Sequence, residues 1–374
     1  MEQPLAPYSV CNLAAVNLAE FAHKDTKTVN FEKLKETVKT GVRLQDNVID
    51  STPYFLEENK KQALGERRVG LGVMGLHDLL IYCETAYGSE KGNRLTNDIF
   101  ETIATTAYRT SIELAKEKGS FPFLTGATEE ETQKKREAFI QTGYMKNMPE
   151  DIRENILKYG IRNSHLLTVA PTGSTGTMAG VSTGLEPYFS FSYYRSGRLG
   201  KFIEVKADIV QEYLDEHPNA DADHLPEWFV TAMDLSPEAH ADTQCVIQKW
   251  VDSSISKTVN APKGYTVNQV ENVYQRLYRG GAKGGTVYVD GSRDTQVLTL
   301  KSEENTTADE TPVESLSDKP HVVLMDTIQE LENTNVSIGS EVGDTCPVCR
   351  SGHIEDIGGC NTCTSCGAQL KCGL

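Results

Sequence analysis

Apolar and polar residues alternate with helical spacing over much of the first 280 residues. From Phe31 to Val42 the apolar positions recur every three or four residues, which predicts an amphipathic helix over residues 30–50 with Asn30 as its cap. The same spacing predicts seven further helices. They cover roughly Glu66–Tyr82, Asn97–Lys118, Glu130–Thr142, Pro149–Tyr159, Ile209–Tyr213, Pro237–Trp250 and Val267–Arg279.

Short apolar or β-branched runs lie between these helices. The three clearest are Leu166–Ala170, Ser254–Val259 and Thr286–Val289. Strands that alternate with helices are typical of a mainly parallel sheet or barrel. The pattern therefore predicts an α/β fold for residues 1–300.

The composition changes after Leu300. Residues 301–345 contain eleven Asp or Glu and two Lys, together with many Ser, Thr and Asn. Such a segment cannot bury enough apolar surface to fold, so we interpret it as a flexible acidic linker. Residues 321–331 are more apolar than the rest and could form a strand and a short helix.

Charge and hydropathy exclude two classes of partner. The formal net charge of −16 is unfavourable for binding a nucleic-acid polymer, which requires clustered Lys and Arg. Any nucleotide bound by this chain is therefore expected to be a small molecule. No run of about eighteen apolar residues is present, and the N-terminus lacks the features of a secretory signal. We expect a cytoplasmic protein without a membrane span.

Six of the nine cysteines fall within residues 346–374 and predict a small module. Two Cys-x2-Cys pairs separated by 13 residues are typical of a zinc ribbon with four thiolate ligands. The predicted ligands are Cys346, Cys349, Cys363 and Cys366. Cys360 and Cys372 then remain free, although the spacing also permits Cys360 as a ligand in place of Cys366.

A loop rich in Gly, Ser and Thr spans residues 170–187 and follows an apolar strand. Successive backbone N–H groups in such a turn can form a concave anion site. We therefore interpret it as a phosphate-binding loop, although a turn that binds no ligand has the same composition. The candidate residues are Pro171, Thr172, Gly173, Ser174 and Thr175.

Four segments, in this order, resemble the catalytic subunit of ribonucleotide reductases: EQPLAPYSVCNLAAVNL, ERRVGLGVMGLHDLL, APTGSTGTMAGVSTGLEPYF and TVYVDGSRDTQVL. The resemblance covers roughly residues 1–300. It implies the second half of a ten-stranded α/β barrel that is built from two five-stranded halves. It also implies the reduction of ribonucleotides to 2′-deoxyribonucleotides by a thiyl radical. Diphosphates are the expected substrates, and triphosphates are the alternative.

The resemblance also assigns site residues. Family members typically read Asn-Pro-Cys-Gly-Glu-Gln-Pro-Leu where this chain begins Met-Glu-Gln-Pro-Leu. We therefore expect the radical cysteine on a separate or upstream polypeptide, an N-terminal half that completes the barrel. Glu2 matches the glutamate that accepts the 3′-hydroxyl proton. Cys11 matches one of the two cysteines that reduce the substrate, whereas Cys83 and Cys245 match no motif and are expected in the core.

The expected cofactor and reductant follow from the same resemblance. Metal-radical enzymes of the family carry two adjacent tyrosines near the end of the barrel, but Val289 follows Tyr288 here. This substitution favours the class that uses adenosylcobalamin. Cys360 and Cys372 resemble the C-terminal cysteines that re-reduce the active site and then exchange with thioredoxin or a glutaredoxin-like protein.

Two other functions remain open at this point. One is a fragment of a metal-radical reductase, which would respond to a metal-radical subunit and not to adenosylcobalamin. The other is a non-catalytic zinc-ribbon protein that binds a nucleotide or regulates the reductase. Arg67, Arg68 and His77 are interpreted as structural residues of one helix that packs on the barrel.

Overall fold

The computed structural model describes residues 5–197, 200–221, 224–292, 298–299, 342–346, 351–357, 360–365 and 369–372. The chain divides into two compact units, Met1–Asn305 and Thr306–Leu374, which are described separately. Most of the predicted acidic linker, including residues 321–331, lies outside the described residues.

The helices of the first unit begin and end close to the predicted positions in most cases. Those within the described residues are α1 Phe31–Ser51, α2 Glu57–Glu66, α3 Leu76–Tyr82, α4 Glu90–Lys118, α5 Glu129–Ile140, α6 Glu150–Tyr159, α7 Gly173–Met178, α8 Asp208–Glu216, α9 Pro237–Gln248 and α10 Val267–Arg279. None of them is both long and apolar enough to cross a membrane.

The described strands are short. In the first unit they are β1 Asn12–Asn17, β2 Ala22–His23, β3 Thr28–Val29, β4 Val69–Met74, β5 Ser192–Gly197, β6 Gly200–Lys206, β7 Thr258–Ala261, β8 Thr286–Val289 and β9 Leu298–Thr299. In the second unit they are β10 Ile354–Ile357, β11 Cys360–Cys363 and β12 Gln369–Cys372.

Five extended segments of the first unit follow one another as parallel neighbours within the described residues. β1 pairs with β4 from Asn12 opposite Val69 onward. A bridge between Leu71 and Leu167 adds residues 166–169, and a bridge from Val169 to Ile255 adds the segment that continues into β7. β7 then pairs with β8. The α/β prediction is confirmed, but these segments do not close into a complete barrel.

The two faces of this sheet differ in burial. On the first face Val69, Leu71 and Val73 are fully buried and pack in the main core with apolar residues of α1 and α4. On the second face Leu13 remains 53% exposed, and Tyr288 is only half-buried. Helices therefore cover one face, as in a barrel wall, and the second face is the one available to a ligand or to further chain.

The single helix predicted over Glu66–Tyr82 is wrong. α2 ends at Glu66, Arg67 adopts a left-handed conformation with φ 46°, and the chain then forms β4 before α3 begins. Val69, Leu71 and Val73 alternate with residues of the second face, so the period is two rather than 3.6. Arg67 and Arg68 consequently lie at the amino end of a strand.

Gly72 shows why this strand contains glycine. A Cβ atom built there would lie 2.5 Å from the carbonyl oxygen of Thr168, closer than any side chain permits. Because Gly72 has no side chain, residues 166–169 lie closer to β4 than any other residue at position 72 would allow.

The remaining predictions differ in accuracy. The helix at α10 and the strand at β8 have the predicted bounds. α4 begins seven residues earlier than expected, because Ser89 accepts a hydrogen bond from the Gly92 N–H and caps it there. The Leu166–Ala170 run is extended and joined to its neighbours through isolated bridges rather than a continuous ladder.

The second unit contains a three-stranded antiparallel sheet in the order β10, β11, β12. Cys346, Ile354 and Cys363 form its small buried cluster. The Ser365 N–H points at the Cys363 Sγ at 3.4 Å. These three side chains are the one buried apolar cluster among the described residues of the second unit.

Candidate active site

Cys11 lies directly before β1, and the space for its side chain depends on Gly70 of β4. A Cβ atom at Gly70 would lie 2.7 Å from the Cys11 Sγ and 2.6 Å from the Thr168 Cγ2. The thiol therefore occupies space that only a glycine leaves free, on the second face of the sheet. The register that pairs Asn12 with Val69 places Arg68 beside Cys11 at the amino ends of the two strands.

The surroundings of Cys11 keep its thiol protonated. Burial raises its pKa to about 11, against the attraction of Arg68 and with smaller contributions from Asp252 and Glu66. At neutral pH the group is therefore a thiol and not a thiolate. A protonated thiol carries both the hydrogen and the electron that a two-thiol reduction has to deliver.

Charged groups gather around Cys11 at the amino ends of the parallel segments. Arg68 and Glu66 are both buried, with 3.5 Å between the Arg68 Nε and the Glu66 Oε2. Asp252 accepts hydrogen bonds from the Leu166 and Leu167 N–H groups at 2.7 and 3.0 Å. The Asp252 carboxylate therefore fixes the amino end of segment 166–169.

The Gly/Ser/Thr loop begins at the opposite, carboxyl end of segment 166–169. Thr172 adopts a left-handed conformation with φ 48° and precedes the short helix α7. Its Oγ1 accepts the Gly184 N–H at 2.7 Å, which closes the loop on itself. Pro171, Gly173, Ser174 and Thr175 are exposed. First-turn N–H groups of a helix have no partner within it, so they are free to meet an anion.

Several predicted residues cannot be placed. Glu2, Cys349 and Cys366 lie outside the described residues. Within the part that the structure describes, no group of three or more His, Cys, Asp or Glu could hold a metal ion. Cys346 and Cys363 are both buried in one cluster, and Cys360 is the register partner of Cys372 across β11 and β12.

Comparison with known proteins identifies the first unit. Residues 1–288 match the family model described as the ribonucleotide reductase barrel domain. The chain belongs to this ribonucleotide reductase family.

Individual relatives agree with the family match. The vitamin B12-dependent ribonucleoside-diphosphate reductase of Thermoplasma acidophilum is 31% identical over 336 residues, which cover 85% of this chain and 40% of the relative. That of Mycobacterium tuberculosis H37Rv is 31% identical, covering 79% of this chain and 41% of the relative. The ribonucleoside-diphosphate reductase subunit alpha of Chlamydia pneumoniae is 29% identical, covering 77% and 30%. The chain thus spans about two-fifths or less of these relatives.

Sequence reasoning missed part of this candidate site. Arg68 was predicted to lie on a helix that packs on the barrel, although the alternation of glycine with apolar residues after it indicates a strand. Asp252 carries no local signal, since its role depends on the backbone of residues 166 and 167. Cys83 lies in the main core as predicted, whereas Cys245 is only half-buried on α9.

Proposed function

We propose that this chain forms the C-terminal half of the catalytic barrel of a ribonucleotide reductase, which converts ribonucleoside diphosphates to 2′-deoxyribonucleoside diphosphates. One observation carries the proposal. A thiol and a loop suited to anions lie at opposite ends of the same short stretch of sheet, since Cys11 contacts the Gly70–Thr168 region and the loop starts at Pro171. Thr168 and Pro171 are three residues apart, about 10 Å in an extended chain, which a nucleotide would bridge with its ribose at one end and its phosphates at the other.

The roles of the residues follow from this placement and from the family resemblance. Thr172, Ser174 and Thr175 would bind the diphosphate through backbone N–H and hydroxyl groups. Glu2 would accept the 3′-hydroxyl proton. Cys11 and a second thiol would supply two electrons and two hydrogens as the 2′-hydroxyl leaves as water, and a disulfide forms between them.

The radical cysteine and the second reducing thiol are proposed to belong to the remainder of the barrel. Support comes from the length of the relatives, of which this chain spans about two-fifths. The half-exposed second face gives further support, because Leu13 presents apolar surface where an adjoining half would pack.

Adenosylcobalamin is the proposed source of the radical. Two of the relatives named above are described as vitamin B12-dependent. Val289 lies beside Tyr288 on β8, where a second tyrosine would be needed for transfer from a metal-radical subunit. The Chlamydia relatives, described as subunit alpha, keep the metal-radical enzyme as the second candidate.

The function is tested by completing the barrel. The purified chain is mixed with an N-terminal reductase half that carries the radical cysteine, and deoxyribonucleotide formation is measured with adenosylcobalamin or with a metal-radical subunit. We expect turnover only with both halves and adenosylcobalamin. Turnover by this chain alone would contradict the proposal, and no turnover in any combination would favour a regulatory nucleotide-binding protein.

The tail is proposed to hold a structural zinc ion through Cys346, Cys349, Cys363 and Cys366. The described residues fit this ion, since Cys346 and Cys363 are buried together and the Ser365 N–H points at the Cys363 sulfur. Cys349→Ser is expected to release the zinc, measured by metal analysis, and Cys372→Ser is the matched control that should retain it. Loss of zinc in Cys360→Ser but not in Cys366→Ser would support the alternative ligand set.

Cys360 and Cys372 are proposed to carry electrons from thioredoxin or a glutaredoxin-like protein to the barrel. Their Cα atoms face each other across two antiparallel strands. Facing positions are about 4.5–5.5 Å apart, within the range that a disulfide spans. The double Ser variant should lose turnover with thioredoxin but retain it with dithiothreitol. Equal losses with both reductants would show a structural role instead.

A further inference from the structure

A buried lysine lies behind the phosphate loop. The Lys257 side chain is fully buried in the wall of the sheet just before β7. Its Nζ donates hydrogen bonds to the Glu186 Oε2 at 2.6 Å and to the Thr258 carbonyl oxygen at 2.6 Å. The His240 Nδ1 lies 2.9 Å away. All three ammonium hydrogens therefore have acceptors, and the amine has no free capacity to bind a ligand itself.

The partners of His240 determine its tautomer. The Nε2 lies 2.9 Å from the Ala232 carbonyl oxygen, which can only accept. The proton is therefore on Nε2, and the Nδ1 is left as an acceptor for Lys257. Burial and the charge of Lys257 lower the pKa of His240 to about 3, so the ring is neutral in this arrangement.

Glu186 connects this cluster to the loop. It lies at the end of the Gly/Ser/Thr segment, and its Oε1 accepts the Thr258 N–H at 2.6 Å while its Oε2 accepts from Lys257. The other end of the loop is held by the Gly184 N–H to Thr172 Oγ1 bond. The Glu186 carboxylate thus holds the final residues of the loop against the start of β7. This contact lies two residues beyond Gly184.

A buried ammonium loses its hydration, and this loss must be offset by well-placed partners. An apolar residue could fill the same space without that cost if packing were the only requirement. What an apolar residue could not do is orient the Glu186 carboxylate. The cluster therefore has a geometric task, which is to fix the Glu186 end of a loop whose residues 171, 173–175 and 177–179 are exposed.

We propose that Lys257 is a positioning residue which, through Glu186 and with His240 as its second anchor, holds residues 171–186 in the conformation that binds the substrate diphosphate. The positioning stands on the contacts described above, whereas the identity of the anion rests on the proposed function. The two parts can be tested separately.

The first test measures the loop without any ligand, by amide hydrogen exchange on the whole chain. Lys257→Met is expected to speed exchange in residues 171–186 by about tenfold or more, and to leave α4 unchanged. Lys249→Met is the matched control, because Lys249 is exposed and directly follows α9. Lys257→Arg, which keeps a charged donor, should restore much of the protection. Unchanged exchange in the loop, or an equal increase in α4, would overturn the proposal.

The pairing with Glu186 is tested by a double-variant comparison. Glu186→Gln alone should loosen the same residues, and Lys257→Met combined with Glu186→Gln should add little to either single change, because both remove one interaction. Fully additive effects would show that the two residues act independently. They would contradict the proposal that Lys257 acts on the loop through Glu186.

The second test addresses the anion, with inorganic pyrophosphate as the probe. Pyrophosphate should slow exchange in residues 171–186 of the unchanged chain, and about tenfold more pyrophosphate should be required in Lys257→Met for equal protection. If the same pyrophosphate concentration gives equal protection in the unchanged chain and in Lys257→Met, the inference is overturned. If Lys257→Met loosens the loop but pyrophosphate protects neither protein, the diphosphate role fails while the positioning role stands.

Discussion

Replacing Cys11 by Ser in the completed reductase is expected to lower deoxyribonucleotide formation on the order of a thousandfold or more, since residues that act as one chemical unit fail together. A serine hydroxyl fits beside Gly70 but cannot form the disulfide that the proposed reaction requires. Product is measured with dithiothreitol as reductant, so that the tail cysteines are not required. Substrate affinity should stay nearly unchanged, because the phosphate loop is intact.

Cys245→Ser is the matched control for this prediction. Cys245 is also a half-buried free thiol of the first unit, but it lies on α9, where its sulfur contacts the Leu277 carbonyl oxygen. Full turnover in that variant, beside a large loss in Cys11→Ser, would assign the effect to position 11. Comparable turnover of Cys11→Ser and the unchanged protein would remove Cys11 from the reaction.

Asp46→Ala is expected to destabilise the first unit by about 3–5 kcal/mol, the usual result of removing one partner of a buried ion pair. Asp46 is completely buried, and its Oδ1 accepts hydrogen bonds from Arg67 at 2.8 and 2.9 Å. Arg162 and Asn163 contact the same carboxylate at 3.3 and 3.1 Å. Without it, two buried guanidinium groups share Asp50 as their one carboxylate partner among the described residues.

The free energy of unfolding is obtained from urea titration of the whole chain, followed by circular dichroism. Glu32→Ala is the control, because Glu32 is exposed and its ion pair in the described part of the chain is with Lys35, one helical turn away. That control should leave the transition midpoint unchanged. A shift in Asp46→Ala no larger than that of the control would show that the buried network contributes nothing to stability.

The sequence predicted the elements whose information is local. α1 and α10 each have a cap residue and a regular apolar spacing, and β8 is a β-branched run bounded by glycines. β4 was predicted as helix because residues 66–82 were taken as one amphipathic run, although Val69, Leu71 and Val73 alternate with glycine at the period of a strand. The pairing with β1 and the approach of Thr168 show the strand directly, and both partners are distant in the chain.

The candidate site was predictable to a similar extent. Cys11 and the loop at Thr172 were found because their motifs are contiguous. The groups that surround them are not contiguous with them: Arg68 precedes β4, whereas Asp252 and Lys257 both lie in the segment that leads into β7. No spacing rule relates such residues, since their proximity is created by the parallel sheet.

The uneven burial of the sheet also bears on how the protein has to be made. Leu13 is exposed, and β1 is paired only to β4 among the described residues, so the chain has an open strand edge beside apolar surface. If a second half completes the barrel as proposed, production of this chain in excess over that half should yield aggregates, and matched synthesis of the two should yield protein in solution. The ratio in which the two are expressed would then be set by the sheet.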